Sequence, residues 1–307
     1  MNRTIPYLLG LLLTALALWI LIDPSRMMNA TLTRFEHLLY DVHLRAKLVT
    51  DKTKPNPAIA IIDIDDKSLQ HEGRWPWPRS KIAKLIAALT EQEVAVIAID
   101  ILYSEGEVNA LSQVLSRLQT TPNVSPVIFT ELKPYVPLFD DDAALARQLK
   151  KTRATLAIGF SDEALTQNQL PLGVASVAAA HQEHLTIATA KGYISSLPIL
   201  QGAAFNSGFL NIYPDGDGIT RRMPLFVAYQ QQLYPNLGLA AVMSYWRTGV
   251  SFPAPYGFQL GQHFFHTDVD GALLIPFISG TRSFPYVSAT DVLNQKIPAK
   301  ARAFLFV

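Results

Sequence analysis

Three carboxylates define the chemistry that residues 58–105 can support. Asp63 and Asp65 close the apolar run Ile59-Ala60-Ile61-Ile62, and Asp100 closes a second run, Val94-Ala95-Val96-Ile97-Ala98-Ile99. Asp63 and Asp65 are two apart, so they share a face if the strand is regular. Between the runs lies Gly73-Arg74-Trp75-Pro76-Trp77-Pro78-Arg79, in which two arginines flank two tryptophans. The arginines can neutralise the carboxylates and lock the loop. Alternatively the edge holds a ligand or cation, because open α/β sheets bind ligands beyond the carboxyl ends of their strands. Catalysis by the carboxylates is the third option. The candidate ligand-binding set is Asp63, Asp65, Arg74, Trp75, Trp77, Arg79 and Asp100. Unpaired, the aspartates would repel one another, so at least one Arg–Asp contact should join the loop to the strand ends. Both tryptophans are expected to be held in place and buried. No catalytic residue, metal ligand or cofactor is assigned.

The elements that must position these groups read as strand, loop, helix, strand. Runs that are apolar on both faces and β-branched suit parallel strands covered by helices. Ile82, Leu85, Ile86 and Leu89 recur at helical spacing, giving a helix over 81–90. Together these form a βαβ unit. Further on, 108–118 and 143–150 have helical spacing, the latter behind Asp140-Asp141-Asp142, which suit a helix start. Strands are expected at 127–130 and 154–160, and a helix at 235–247 with Pro235 in its first turn. Residues 258–267 and 272–277 read as a hairpin turned at Asp270-Gly271. Residues 303–307 look like a core strand. The fold class is α/β, with a mixed sheet on a βαβ core, preceded by one N-terminal transmembrane helix.

The chain has 307 residues, 49% hydrophobic and 17% charged, with a net charge of +1 and no cysteine. No global field invites nucleic acid. Disulfides, thiol catalysis and cysteine-ligated zinc are excluded. Residues 5–22 carry no charge and as a helix would span about 27 Å, close to a bilayer core. Arg3 on one side and Arg26 and Arg34 on the other leave orientation unread from charge. The expected organisation is an anchor over 1–24, a juxtamembrane helix and linker over 25–57, and the α/β domain over 58–307. Phe35, Leu38, Leu39, Val42 and Ala46 form an apolar stripe, suited either to packing on the domain or to pairing with a second subunit.

Three motifs carry a resemblance. The first is Asp63-Ile64-Asp65-Asp66 with Ser68, the Gly73–Arg79 loop, and Asp100-Ile101-Leu102-Tyr103-Ser104-Glu105. The second is Gly208-Phe209-Leu210-Asn211, then Asp215-Gly216-Asp217-Gly218, then Arg221-Arg222-Met223-Pro224-Leu225. The third is Val287-Ser288-Ala289-Thr290-Asp291-Val292-Leu293. Together they resemble the type-two CHASE domain, a cyclase and histidine-kinase associated sensory extracellular domain. The resemblance implies a sensory domain outside the cytoplasmic membrane, an unknown small-molecule or protein stimulus, a homodimer and no enzymatic activity in this stretch. It also implies a C-terminally incomplete domain, with any output domain beyond Val307.

The residues give their own readings beside it. Aligning Gly218 with the sixth position of a calcium loop puts Tyr213 first and Pro224 twelfth, so that motif fails. A glycine turn with self-bonding aspartates, or pairing of Arg221 or Arg222 with buried carboxylates, accounts for it instead. Ser288 is placed to cap a short helix with Asp291 in its first turn. His181 and His184 at i, i+3 alone are a weak metal signal. The rival function is a magnesium-dependent phosphatase of haloacid-dehalogenase type, suggested by Asp-x-Asp. Lys67 and Asp100 stand where that signature wants other residues. A passive interaction domain is the third class.

Overall fold

The computed structural model describes residues 7, 10–15, 26–50, 56, 58–181, 185–278, 283–296 and 304–306. The chain divides into two compact units, Met1–Lys54 with Phe277–Thr281 and Pro55–Pro276 with Arg282–Val307. In the first unit one helix runs unbroken over Arg26–Thr50, 25 residues without glycine or proline. No helix among the described residues is long and apolar enough to cross a membrane, and most of 5–22 lies outside them.

The second unit is built on a mixed eight-stranded sheet. Its strands are β1 (Ile59–Asp63), β2 (Val96–Ala98), β3 (Ala154–Ser161), β4 (Thr166–Gln167), β5 (Gly192–Ser195), β6 (Asn206–Phe209), β7 (Tyr286–Ser288) and β8 (Phe304–Phe306). The order is β7-β1-β8-β2-β3-β5-β4, with β6 also on β3. Only β3–β5 is antiparallel. The Arg79–Glu91 helix connects β1 to β2, and β8 lies between those two strands.

Alternation along β2 shows both faces covered. Ile97 shares a core with Ile82, Leu85, Ile86 and Leu89 of the Arg79–Glu91 helix and Leu145 and Leu149 of the Asp141–Leu149 helix. Its neighbours Val96 and Ala98 pack against Leu237 and Ala241 of the Leu237–Trp246 helix. Helices therefore sandwich the parallel part of the sheet. Beyond it, smaller sheets bury a second core around Phe226, Leu233, Phe252, Phe258 and Leu260.

Several elements depart from the sequence reading. β1 is apolar on both faces up to Ile62 but fully buried on only one: Ala60 and Ile62 are buried, and Ile59, Ile61 and Asp63 are half-buried. Residues 127–130 are helical within Pro126–Leu132, because Ser125 caps the first turn and Pro126 fits it. Pro235 ends a strand, and Asn236 caps the following helix by accepting from Leu239 N at 2.7 Å. The hairpin turns at Gly261, with φ +61°, pairing Gly257–Leu260 with His263–His266. Ala272–Leu274 instead pairs with Arg222–Pro224.

Candidate ligand site at the carboxyl ends of the sheet

β1 stops at Asp63, so Asp65 leaves the strand and never shares a face with it. Instead Asp65 caps the Asp66–Glu72 helix: its Oδ1 accepts from Ser68 N at 2.8 Å and Ser68 Oγ at 2.7 Å. Ser288 Oγ, at the end of β7, reaches the same oxygen at 2.8 Å. That is where the Ser288 hydroxyl goes, rather than capping its own helix as expected. Thr290 N donates to Ser68 Oγ at 3.1 Å, and Thr290 Oγ1 donates to Glu72 Oε1 at 2.9 Å. Lys81 Nζ lies 3.3 Å from Glu72 Oε2, and Lys67 Nζ 2.6 Å from Asp291 Oδ1. The first and third motifs thus close on each other as one clasp.

Burial alone would raise the Asp65 carboxyl. The Ser68 and Ser288 hydrogen bonds and the Lys67 charge outweigh it and hold the group below its ordinary 3.8. Chiefly the Thr290 hydrogen bond, with Lys81, holds Glu72 below 4.5.

The chain after β2 is pinned by a second network. Arg79 N donates to Glu107 Oε2 at 2.6 Å, supplying a carboxylate to a helix start whose Pro78 has no capping side chain. Arg79 Nη2 donates to Glu105 O at 2.9 Å, and its guanidinium lies 4.7 Å from the centre of the buried Tyr103 ring. Arg79 Nε stands 3.3 Å from Asp142 Oδ1, while Asp142 Oδ2 accepts from Glu107 N at 2.8 Å. Burial pushes the Glu107 carboxyl up, against the pull of the Arg79 amide.

The expected Arg–Asp contact between the loop and the strand ends does not form among the described residues. Arg79 meets Asp142 in the first turn of the Asp141–Leu149 helix, not Asp63, Asp65 or Asp100. Arg74 is exposed and meets no partner among the described residues. Stability should follow this split. Arg79→Ala is expected to cost about 1–3 kcal/mol, leaving Asp142 without its cation. Arg74→Ala should fall within about 0.5 kcal/mol of the parent. Urea unfolding of the two variants checks this, and equal losses would contradict it.

The tryptophans also divide. Trp77 is buried, donates Nε1 to Gly73 O at 2.8 Å and carries Lys81 Nζ 5.3 Å above its ring. Gly73 ends the preceding helix at φ +95°, a conformation that favours glycine. Contrary to expectation, Trp75 stays 37% exposed, tilted against Trp77 at a centroid distance of 6.1 Å.

What Trp75 faces is a cleft of about 420 Å³, lined by Ile62, Asp63, Ile64, Leu69, Trp75, Asp100 and Ile101. Of the candidate set, the structure brings Asp63, Trp75 and Asp100 together and directs Asp65, Arg74, Trp77 and Arg79 elsewhere. Among the described residues the side chains of Asp63 and Asp100 have no hydrogen bond or ion pair, Asp63 being held by its backbone in β1. Asp100 keeps solvent contact, yet the surrounding protein strips enough water to raise its carboxyl above the ordinary 3.8. A larger cavity of about 950 Å³, between the Ala110–Gln119 and Pro126–Leu132 helices, has Lys133 as its one charged lining residue and holds none of these groups.

The second motif is structural. Asn211 Oδ1 accepts from Phe160 N and Nδ2 donates to Phe160 O, both at 2.7 Å, so its amide stands in for a strand residue beside β3. Arg221 is buried, with Nη1 3.0 Å from Asp215 Oδ2 and Nη2 2.8 Å from Asp217 Oδ2. The glycine turn is present as well, with Gly218 at φ +81° and Asp217 Oδ1 accepting from Ile219 N. Sequence reasoning missed Ser68, Thr290 and Glu107 as positioning residues and read Asp142 only as part of a helix start; Asn236 had a local signal too, as a capping residue before an apolar run. The side-chain placement of His181 and His184 lies outside the described residues.

A helix-covered, largely parallel sheet with an open cleft at its carboxyl edge defines an α/β domain of the kind that presents a site rather than a barrel or sandwich. The chain matches the family model of the CHASE2 domain over residues 12–306 and belongs to that family. CHASE2 domains are sensory, extracellular domains of signal-transduction proteins, not catalytic ones. No curated protein and no solved structure matched the chain.

Proposed function

We propose that this chain is a membrane-anchored sensory domain facing away from the cytoplasm, and that its stimulus is a small, positively charged molecule held in the Asp63–Trp75–Asp100 cleft. The carrying observation is the cleft itself: two carboxylates without cationic partners among the described residues, beside an exposed indole. A cation over an indole face gains electrostatic attraction, and the carboxylates add to it. Cleft volume and placement beyond the strand ends suit a small ligand. Residues 1–24 would supply the anchor and residues 25–57 the connection to the domain.

The phosphatase reading needs both aspartates of Asp-x-Asp on one substrate. Here Asp65 is engaged by Ser68 and Ser288, and Lys67 by Asp291. A passive scaffold gives no reason for two unneutralised carboxylates at a cleft.

The location is tested with a single introduced thiol, since the chain has no cysteine. Exposed Lys84→Cys should react with a membrane-impermeant maleimide in intact cells, with the protein in the membrane fraction. Labelling only after lysis would overturn the placement.

A further inference from the structure

The Arg26–Thr50 helix presents a face that the reading above leaves unused. Leu32, Phe35, Leu39, Val42, Ala46 and Val49 follow one another at steps of three and four residues, and Met28 extends the register backwards in sequence. All six described positions are exposed, Phe35 to 61% and Leu39 to 66%. His37, Tyr40, Asp41, Leu44 and Leu48, on the other side of the helix, are only partly exposed. A helix lying on a globular surface needs a broad apolar stripe with a 3.6-residue period. A strict seven-residue repeat of two apolar positions keeps facing a second helix that supercoils with it.

From this spacing we infer that the helix forms a parallel, in-register coiled coil with the same helix of a second copy of this chain. No seam position is charged. In a parallel pair each flanking residue faces the partner's residue five further on, which sets Leu38 against His43 and Arg45 against Thr50. No like charges oppose each other, so the flanks permit self-pairing. Anchoring to one membrane would hold both helices in the same direction and raise their effective concentration, which favours so short a seam. The inference is independent of what the cleft binds.

The chain's lack of cysteine makes the test direct. Leu39→Cys and Val49→Cys lie on the seam, whereas Arg34→Cys and Lys47→Cys lie off it. Each full-length variant is oxidised mildly in native membranes. Self-crosslinked dimers should form about tenfold faster at 39 and 49 than at 34 and 47. Crosslinking at both seam positions requires a parallel register. Equal rates at all four, no dimer at either seam position, or an adduct of a mass other than two chains would overturn the inference. Val42→Asp keeps it open to refutation by a second route. In detergent the parent should have twice the 33.9 kDa chain mass and the variant one chain mass, with the urea unfolding of the α/β unit unchanged. A parent of single-chain mass in both membranes and detergent contradicts the seam.

Discussion

Arg221→Ala should cost about 3–5 kcal/mol of stability, while Arg222→Ala next to it costs about 1 kcal/mol or less. The two arginines share a motif but not an environment. Arg221 is buried and forks onto two carboxylates, with Nη1 3.0 Å from both Asp215 Oδ2 and Asp217 Oδ1 and Nη2 2.8 Å from Asp217 Oδ2. Removing it takes away the cation these carboxylates share, and water reaches Asp217, whose side chain is 35% exposed, more readily than Asp215. Arg222 pairs with Asp268 at 2.8 Å, but its side chain is 47% exposed, so water screens the pair. Arg221→Lys should rescue little, because an ammonium cannot reproduce the planar fork. Urea unfolding of the three variants measures the difference. Similar losses for Arg221→Ala and Arg222→Ala would refute the assignment.

Asp65→Ala is expected to cost about 2–3 kcal/mol, because it removes a helix cap and the shared acceptor of two serines in one step. The same clasp sets an acid limit on the fold. Both Asp65 and Glu72 titrate below their ordinary 3.8 and 4.5 when folded. The unfolded chain then takes up protons first, so their stabilisation is complete above those ordinary values and is lost as pH falls through the depressed ones. Glu107 and Asp100 have raised carboxyls and act with the opposite sign, their contribution being lost as pH rises through the raised values. Between about pH 5 and pH 3 the parent's urea midpoint should fall, and the fall should be shallower in Asp65→Ala. An unchanged slope would mean that Asp65 is not held as described.

Local pattern made β1, β3 and the Arg79–Glu91 helix legible, because β1 and the helix bury residues at their own periods and β3 is a nearly continuous buried run. The site was only half legible, because its partners lie far apart in the chain. Asp65 meets Ser288, and Arg79 meets Asp142, and nothing near either residue announces the pairing. Counting charges at the strand ends suggested that the arginines would neutralise Asp63 and Asp100. In the fold, capping took Asp65 and a distant helix start took Arg79, leaving those two aspartates at the cleft. Trp75 and Trp77 are alike in sequence, yet the one whose indole finds Gly73 O is buried while the other borders the cleft. Residues 127–130 misled because β-branched composition masked a Ser-Pro helix start.

That the cleft receives a cation is tested most directly by titrating the full chain with putrescine, spermidine and tetramethylammonium, against citrate and a neutral sugar, while following indole fluorescence. A saturable change is expected with the cations alone. Trp75→Phe should abolish the change, and Asp63→Asn with Asp100→Asn should weaken binding about tenfold or more. A response to citrate, a response that survives the paired asparagine substitutions, or none to any cation at millimolar concentration would contradict the account.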